Sequence, residues 1–229
     1  FKNVSKVGIK AIALKEGDGL VGVARTSGRN DIMLFSNLGK AIRFNEYWER
    51  SSDDEETGDD NDTEISGSQE DDSAETPISG KHGVRPSGRG SGGLRGMRLP
   101  ENGRIVSLLT AEIGSDLQVL TATQNGYGKR TPIADYTRKG RGGQGIIAID
   151  TGERNGELVG AVLVSPSDDL MLITSGGVLI RTKVEQVRET GRAAAGVRLI
   201  NLDEGTTLVS LERVAESEED EAEAAEGEA

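Results

Sequence analysis

The chain contains no cysteine, only one histidine, and aromatic residues at just 3% of its 229 positions. Without cysteine, disulfide frameworks and thiolate metal sites are excluded. His82 lies in a Gly/Ser/Pro-rich stretch, reads as a solvated loop residue, and leaves no basis for a histidine-based triad or a zinc site. No apolar run approaches the roughly 20 residues needed to cross a bilayer and no secretory segment opens the chain, so a cytosolic protein is expected. No nucleophile is paired with a histidine base, no carboxylates have metal-ligand spacing, and no glycine-rich stretch has P-loop order. Catalytic residues are therefore not expected. What remains is 34% hydrophobic with 32 glycines, a composition that suits short strands joined by tight turns better than a helical bundle.

The strongest positive signal is a repeat. A Gly-hydrophobic-x-x-hydrophobic segment with an arginine four residues ahead recurs at Arg89/Gly93, Arg141/Gly145 and Arg192/Gly196, in steps of 52 and 51 residues. A second mark, Gly-x-x-x-Arg, recurs at Gly39/Arg43, Gly126/Arg130 and Gly177/Arg181, the last two again 51 apart. A first unit opens at Gly8, 85 residues before Gly93, and the 34-residue excess matches the acidic stretch from Ser51 to Val84. About three and a half units follow, the first interrupted by an insertion. The chain begins at Phe1, just before a unit, as expected of a piece whose upstream units lie outside it.

Net charge is −12 overall but is divided sharply by segment. Residues 1–50 carry +4 and residues 81–198 carry +6, whereas residues 51–80 carry −12 without one Lys or Arg and residues 199–229 carry −10. Such acidic blocks repel themselves and bury little, which predicts disorder for both. The expected organisation is a first blade over 1–50, a disordered acidic insertion over 51–85, the remaining blades over 86–214, and a disordered acidic tail over 215–229.

The unit from Gly145 illustrates the fold. Runs at Ile146 to Ile149, Leu158 to Val164, Leu170 to Thr174 and Val178 to Lys183 read as four strands, the last two joined by a tight turn at Ser175-Gly176-Gly177. Leu20 to Val23, Ile32 to Phe35 and Ala41 to Phe44 repeat the layout, as do Ile105 to Leu109, Leu117 to Thr121 and Lys129 to Thr131. A single such sheet cannot bury both faces, so the units must stack, and an all-β, propeller-like array of four-stranded antiparallel blades is expected. The last unit offers only two strands, Val197 to Leu202 and Leu208 to Arg213; they either complete the preceding blades or close a ring.

Basic residues recur at corresponding places. Near the opening glycines lie Arg89, Arg95 and Arg98, then Arg138, Lys139 and Arg141, then Arg192 and Arg198; after the closing glycines lie Lys40 and Arg43, Lys129 and Arg130, and Arg181 and Lys183. On stacked blades these would trace a curved cationic band, the electrostatic footprint of a bent polyanion such as duplex DNA. Arg43, Arg130 and Arg181 could equally form ion pairs between blades or cap carbonyls. The cluster from Arg138 to Gly143 has three cations among glycines with no acid nearby in sequence, and is expected to grip phosphate.

Three strings carry a resemblance: Gln124 to Thr131, Glu153 to Gly156 with Leu158 to Ala161, and Asp31 to Ser36. With them the chain resembles the C-terminal domain family of the bacterial DNA gyrase A subunit over residues 1–214 apart from the acidic insertion. The resemblance implies a β-pinwheel that binds double-stranded DNA without sequence preference and wraps it around its rim. It further implies a non-catalytic part of an ATP-hydrolysing type II topoisomerase, DNA gyrase, introducing negative supercoils in the bacterial cytoplasm. The implied partners are the rest of the gyrase A subunit, together with the gyrase B subunit in a heterotetramer, with no membrane. No cofactor is implied for this chain, ATP and Mg being bound elsewhere in the enzyme. The family's Gln-Arg-Arg-Gly-Gly-Lys-Gly box is absent, and the DNA-cleaving tyrosine belongs to another domain, so Tyr47, Tyr127 and Tyr136 do not take that role. The alternatives are the related domain in the A subunit of topoisomerase IV, which serves decatenation, and a propeller scaffold for proteins, whose only aromatic anchors would be Tyr47 and Trp48.

Overall fold

The 51-residue period resolves into sheets that each draw strands from successive units. The computed structural model describes residues 8, 10–47 and 83–214. The acidic insertion, His82, Trp48 and the tail thus lie outside the described residues, apart from Gly83, Val84 and Arg85 at the end of the expected insertion.

Eleven strands follow along the described chain: β1 (Asp31–Ser36), β2 (Lys40–Asn45), β3 (Ile105–Ala111), β4 (Gln118–Thr123), β5 (Tyr127–Pro132), β6 (Ile146–Ile147), β7 (Leu158–Val164), β8 (Asp169–Thr174), β9 (Leu179–Lys183), β10 (Val197–Arg198) and β11 (Leu208–Val214). They form three antiparallel sheets in the orders β3-β1-β2-β6, β7-β4-β5-β10 and β11-β8-β9. Each blade is a hairpin from one unit, closed by a strand of the next unit and, in the first two blades, by two residues of the unit after that. A unit was expected to supply a whole four-stranded blade, and it does not. The two strands of the last unit complete the blades before them: β10 joins the second and β11 the third.

The exchange explains both glycine marks. Gly145 and Gly196 have φ of 74° and 82°, and a Cβ there would stand 2.6 Å from the Ala41 carbonyl oxygen and 2.5 Å from that of Gly128. Only glycine allows this conformation together with so close a backbone approach. The closing glycines accept the incoming chain: Ala148 N–H donates to Gly39 O (2.8 Å) and Leu199 N–H to Gly126 O (2.8 Å). The two marks are thus the two sides of one junction, made twice.

β3, β7 and β11 line one open cleft together with Val21 to Val23, which identifies them as the inner strands and places β6 and β10 at the outer edges. Leu20 to Val23 does not form the expected strand. These residues are exposed, with Gly22 beside Leu108 of β3, and no hairpin among the described residues is available to pair with them.

Cores lie between neighbouring sheets. Val119 of β4 packs in the first with Met33, Phe35, Tyr136 and Leu158, while Leu120 and Ala122 of the same strand pack in the second with Leu170, Leu172 and Leu208. Residues alternating along β4 thus enter two different cores, as in a strand covered on both faces. Phe35 meets Tyr136 edge to face, with ring centroids 5.9 Å apart.

Candidate nucleic-acid interface

The recurrent arginine of the closing mark points along its own blade to the turn that follows the next hairpin. Arg43 of β2 donates from Nε and Nη2 to Asp31 Oδ2 (2.8 and 2.6 Å), and from Nη1 to the carbonyls of Ile133 (2.9 Å) and Tyr136 (3.1 Å). Arg138, just beyond that turn, donates to both oxygens of the same carboxylate at 3.0 and 2.9 Å. The Asp31 side chain is fully buried, and Arg43 and Arg138 are only 12% and 15% exposed. Burial alone would raise the Asp31 carboxyl; hydrogen bonds from Arg138 and Asn45 and the charge of Arg43 outweigh it and hold the carboxyl below its usual range.

The second blade repeats this arrangement with other partners. Arg130 donates to Val187 O (2.6 Å) and Glu185 O (3.3 Å), and to Gln118 Oε1 (3.2 Å), where Gln118 stands in the place of Asp31. Glu189, in the place of Arg138, accepts from Gln118 Nε2. In the third blade Arg181 pairs with Asp169, and Lys183 lies 3.8 Å from the same carboxylate.

Lys129 is wholly buried. Its ammonium donates to Gly191 O (2.7 Å), Arg192 O and Thr131 Oγ1 (3.4 Å), fastening the loop that carries Arg192. Burial, with a smaller contribution from Arg192, lowers its pKa to about 8. Four of the fourteen expected contact residues are therefore turned inward: Arg43, Lys129, Arg130 and Arg138. Their side chains donate to Asp31, Gln118, Thr131 and carbonyl oxygens, and so brace turns and loops of the fold. The expectation that the Arg138 cluster has no acid nearby fails in space, because Asp31 arrives from a different unit, 107 residues away.

The others divide by exposure. Arg141 is half-buried and donates to Gly83 O (3.2 Å) and Arg95 O (3.4 Å); Arg192 is half-buried and donates to Ile147 O. Lys139 is half-buried, and its backbone N–H donates to Arg43 O (2.8 Å). Arg89, Arg95, Arg98 and Arg198 are exposed, as are the side chains of Arg181 and Lys183 at 54% and 59% despite their ion pairs. Lys40 is half-buried at the start of β2, opposite Ile147 of the outer strand.

Basic residues outside the fourteen expected contacts include Arg104, Arg188 and Arg154. Arg104 forms an exposed pair with Glu157 (2.7 Å), Arg188 is exposed after the turn that receives Arg130, and Arg154 lies 4.3 Å from the centre of the Tyr127 ring. The signal for Arg154 was present in the Arg154-Asn155-Gly156 turn. Among the described residues no group of three or more metal-ligating side chains occurs.

Sheets arrayed about a common cleft, with strands exchanged between successive 51-residue units, define a propeller-type repeat protein. The match to the family described as DNA gyrase C-terminal domain, beta-propeller, runs over residues 1–27, 30–47, 82–112, 118–165 and 168–215. The chain belongs to that family. The DNA gyrase A subunit of Neisseria gonorrhoeae is 74% identical over 224 residues, covering 95% of this chain and 24% of that protein. The DNA gyrase A subunit of Escherichia coli K12 is 39% identical over 221 residues, 96% of this chain and 21% of that one. The chain thus spans a quarter or less of these relatives. A solved DNA gyrase A C-terminal domain superposes with a TM-score of 0.65 at 25% identity, covering 91% of this chain and 58% of that one. The C-terminal domain of DNA topoisomerase IV gives 0.71 at 22% identity over 96% and 58%, a likeness of fold alone.

Proposed function

We propose that the outer edge of these blades binds duplex DNA without sequence preference and bends it, as the wrapping part of a gyrase A subunit. In that reading the chain supports ATP-dependent negative supercoiling by the whole enzyme without contributing catalytic residues. The partners would be DNA, the remainder of the A subunit, and the B subunit, in the bacterial cytoplasm, with ATP and Mg held elsewhere in the assembly.

Family membership joined to the distribution of charge supports this reading. Arg98, Arg154 and Arg198 are exposed and have no carboxylate partner among the described residues, while the inward arginines fix the turns and loops that separate them. Bending DNA costs on the order of 1 to 6 kcal/mol, which many phosphate contacts must offset, and phosphate contacts carry no sequence information. The curated relatives quoted are gyrase subunits, which favours supercoiling over decatenation.

The test is affinity for unrelated duplexes of equal length across a salt series. A slope near −5 in log–log terms, for about six engaged phosphates, and the same for every sequence, is the expected result. Sequence-dependent affinity with a shallow slope would overturn the reading.

A further inference from the structure

On the outer edge of the second blade, one aromatic ring organises two cations. Tyr127 opens β5 and stands opposite Arg198 of β10 in the register. The Arg198 guanidinium carbon lies 5.0 Å from the Tyr127 ring centre, and its Nη2 donates to the phenol oxygen at 2.6 Å. The turn before β7 brings Arg154 to 4.3 Å from the same ring centre. That turn is pinned: Asn125 Nδ2 donates to the carbonyls of Glu153 (3.1 Å) and Arg154 (3.0 Å), and buried Asn155 donates to Asp150 O (2.7 Å) and Ala195 O (2.8 Å).

Two features set this group apart from the ion pairs elsewhere. Neither guanidinium has a carboxylate within ion-pairing distance among the described residues, whereas the arginines at Asp31, Asp169 and Glu157 do. Both are exposed, so their remaining N–H donors face solvent. An exposed cation–π contact is weak, enough to restrict a guanidinium but not to neutralise it. Two like charges held on one ring repel each other, and an anion beside them removes that cost. The equivalent places on the first blade hold Lys40, Ile147 and Glu101, one cation with one acid and no ring.

We propose that Tyr127, Arg154 and Arg198 form a phosphate clamp at the outer edge of the second blade, with the tyrosine as the positioning residue that holds both guanidiniums toward the DNA backbone. The proposal rests on the DNA-binding reading above and makes the second blade a stronger local grip than the first. Arginine suits the task because its planar fork can stack on a ring and still donate to phosphate oxygens.

The experiment measures duplex affinity of the full chain from about 50 to 200 mM salt for the unsubstituted protein, R154Q, R198Q, R154Q/R198Q, Y127F and Y127F/R198Q. Each arginine substitution is expected to weaken binding several-fold and to flatten the log–log slope by about one, and the double substitution by about two. Y127F keeps a ring beneath Arg154 but removes the acceptor for Arg198. It should weaken binding about two- to threefold alone and add nothing to R198Q, the signature of residues acting together. A merely structural role for Tyr127 would lower the melting temperature and leave the slope unchanged. Steep binding by the unsubstituted chain with an unchanged slope in R154Q/R198Q overturns the clamp and spares the DNA reading. Absence of salt-dependent binding by the unsubstituted chain overturns both.

Discussion

The first and second blades solve the same junction with different charges. In the first, one buried carboxylate, Asp31, holds two arginines. In the second, a neutral Gln118 lies between Arg130 and an acid, Glu189. Common to both is the arginine of the closing mark donating to carbonyls of the following turn, Ile133 and Tyr136 in one case and Glu185 and Val187 in the other. The repeat therefore keeps the contact that docks a turn against its blade and lets the two remaining partners change together. Recurrence of an arginine is thus not by itself a sign of a contact with DNA.

Breaking the first junction should have the largest effect. D31A leaves Arg43 and Arg138 buried beside each other without their counter-charge, and a loss of about 3 to 5 kcal/mol in urea denaturation is expected. The same carboxyl sets an acid limit. Its folded pKa is depressed, so its stabilisation is complete above the unfolded value near 4 and is lost as pH falls through the folded value. A stability profile between about pH 5 and 3 that is equally flat in the unsubstituted chain and D31N would refute this.

Lys129 and Ile42 occupy the same place, three residues beyond the closing glycine, on the second and first blades. Here the sign is reversed from a paired lysine. The folded pKa of about 8 lies below the unfolded value, so the unfolded chain binds more protons between the two and stability rises with pH. From about pH 7.5 to 9.5 the gain attributable to Lys129 is about 2 kcal/mol, to be measured as the difference in pH dependence between the unsubstituted chain and K129M.

The comparison is sharpened by transplanting the first junction into the second. Gln118→Asp and Glu189→Arg should each destabilise, whereas the pair together should recover about 1 to 2 kcal/mol relative to the sum of the singles. Simple additivity would show that the two junctions are not interchangeable. The smallest effect is expected at the exposed Arg104–Glu157 pair, where R104A should change stability by less than about 1 kcal/mol.

The sequence made much of this visible and concealed the rest for physical reasons. The period and both glycine marks were legible because a positive φ and a close backbone approach admit little but glycine, as at Gly145 and Gly196. The hairpin of β8 with β9 was legible as two runs around the Ser175-Gly176-Gly177 turn. The exchange of strands was not, since outer strands of two residues show no periodicity and their partners lie in another unit. For the same reason Asp31 could not be seen as the acid for Arg138. Lys129, flanked by Gly128 and Arg130, read as surface charge; aligning it with Ile42 would have marked it as buried. Arg154 lay outside the recurrent marks and so outside the list of candidate contacts, although its Asn-Gly turn fixes it against Tyr127.

In the proposed reading, exposed cations at the blade edges, and not the recurrent inward arginines, engage DNA. The most direct measurement is the salt dependence of duplex affinity for R98Q/R154Q/R198Q, three cations that are all exposed, with melting recorded on the same samples. An unchanged melting temperature and a slope flatter by about three is the predicted result. A slope equal to that of the unsubstituted chain would contradict the account and place the DNA track elsewhere on the molecule.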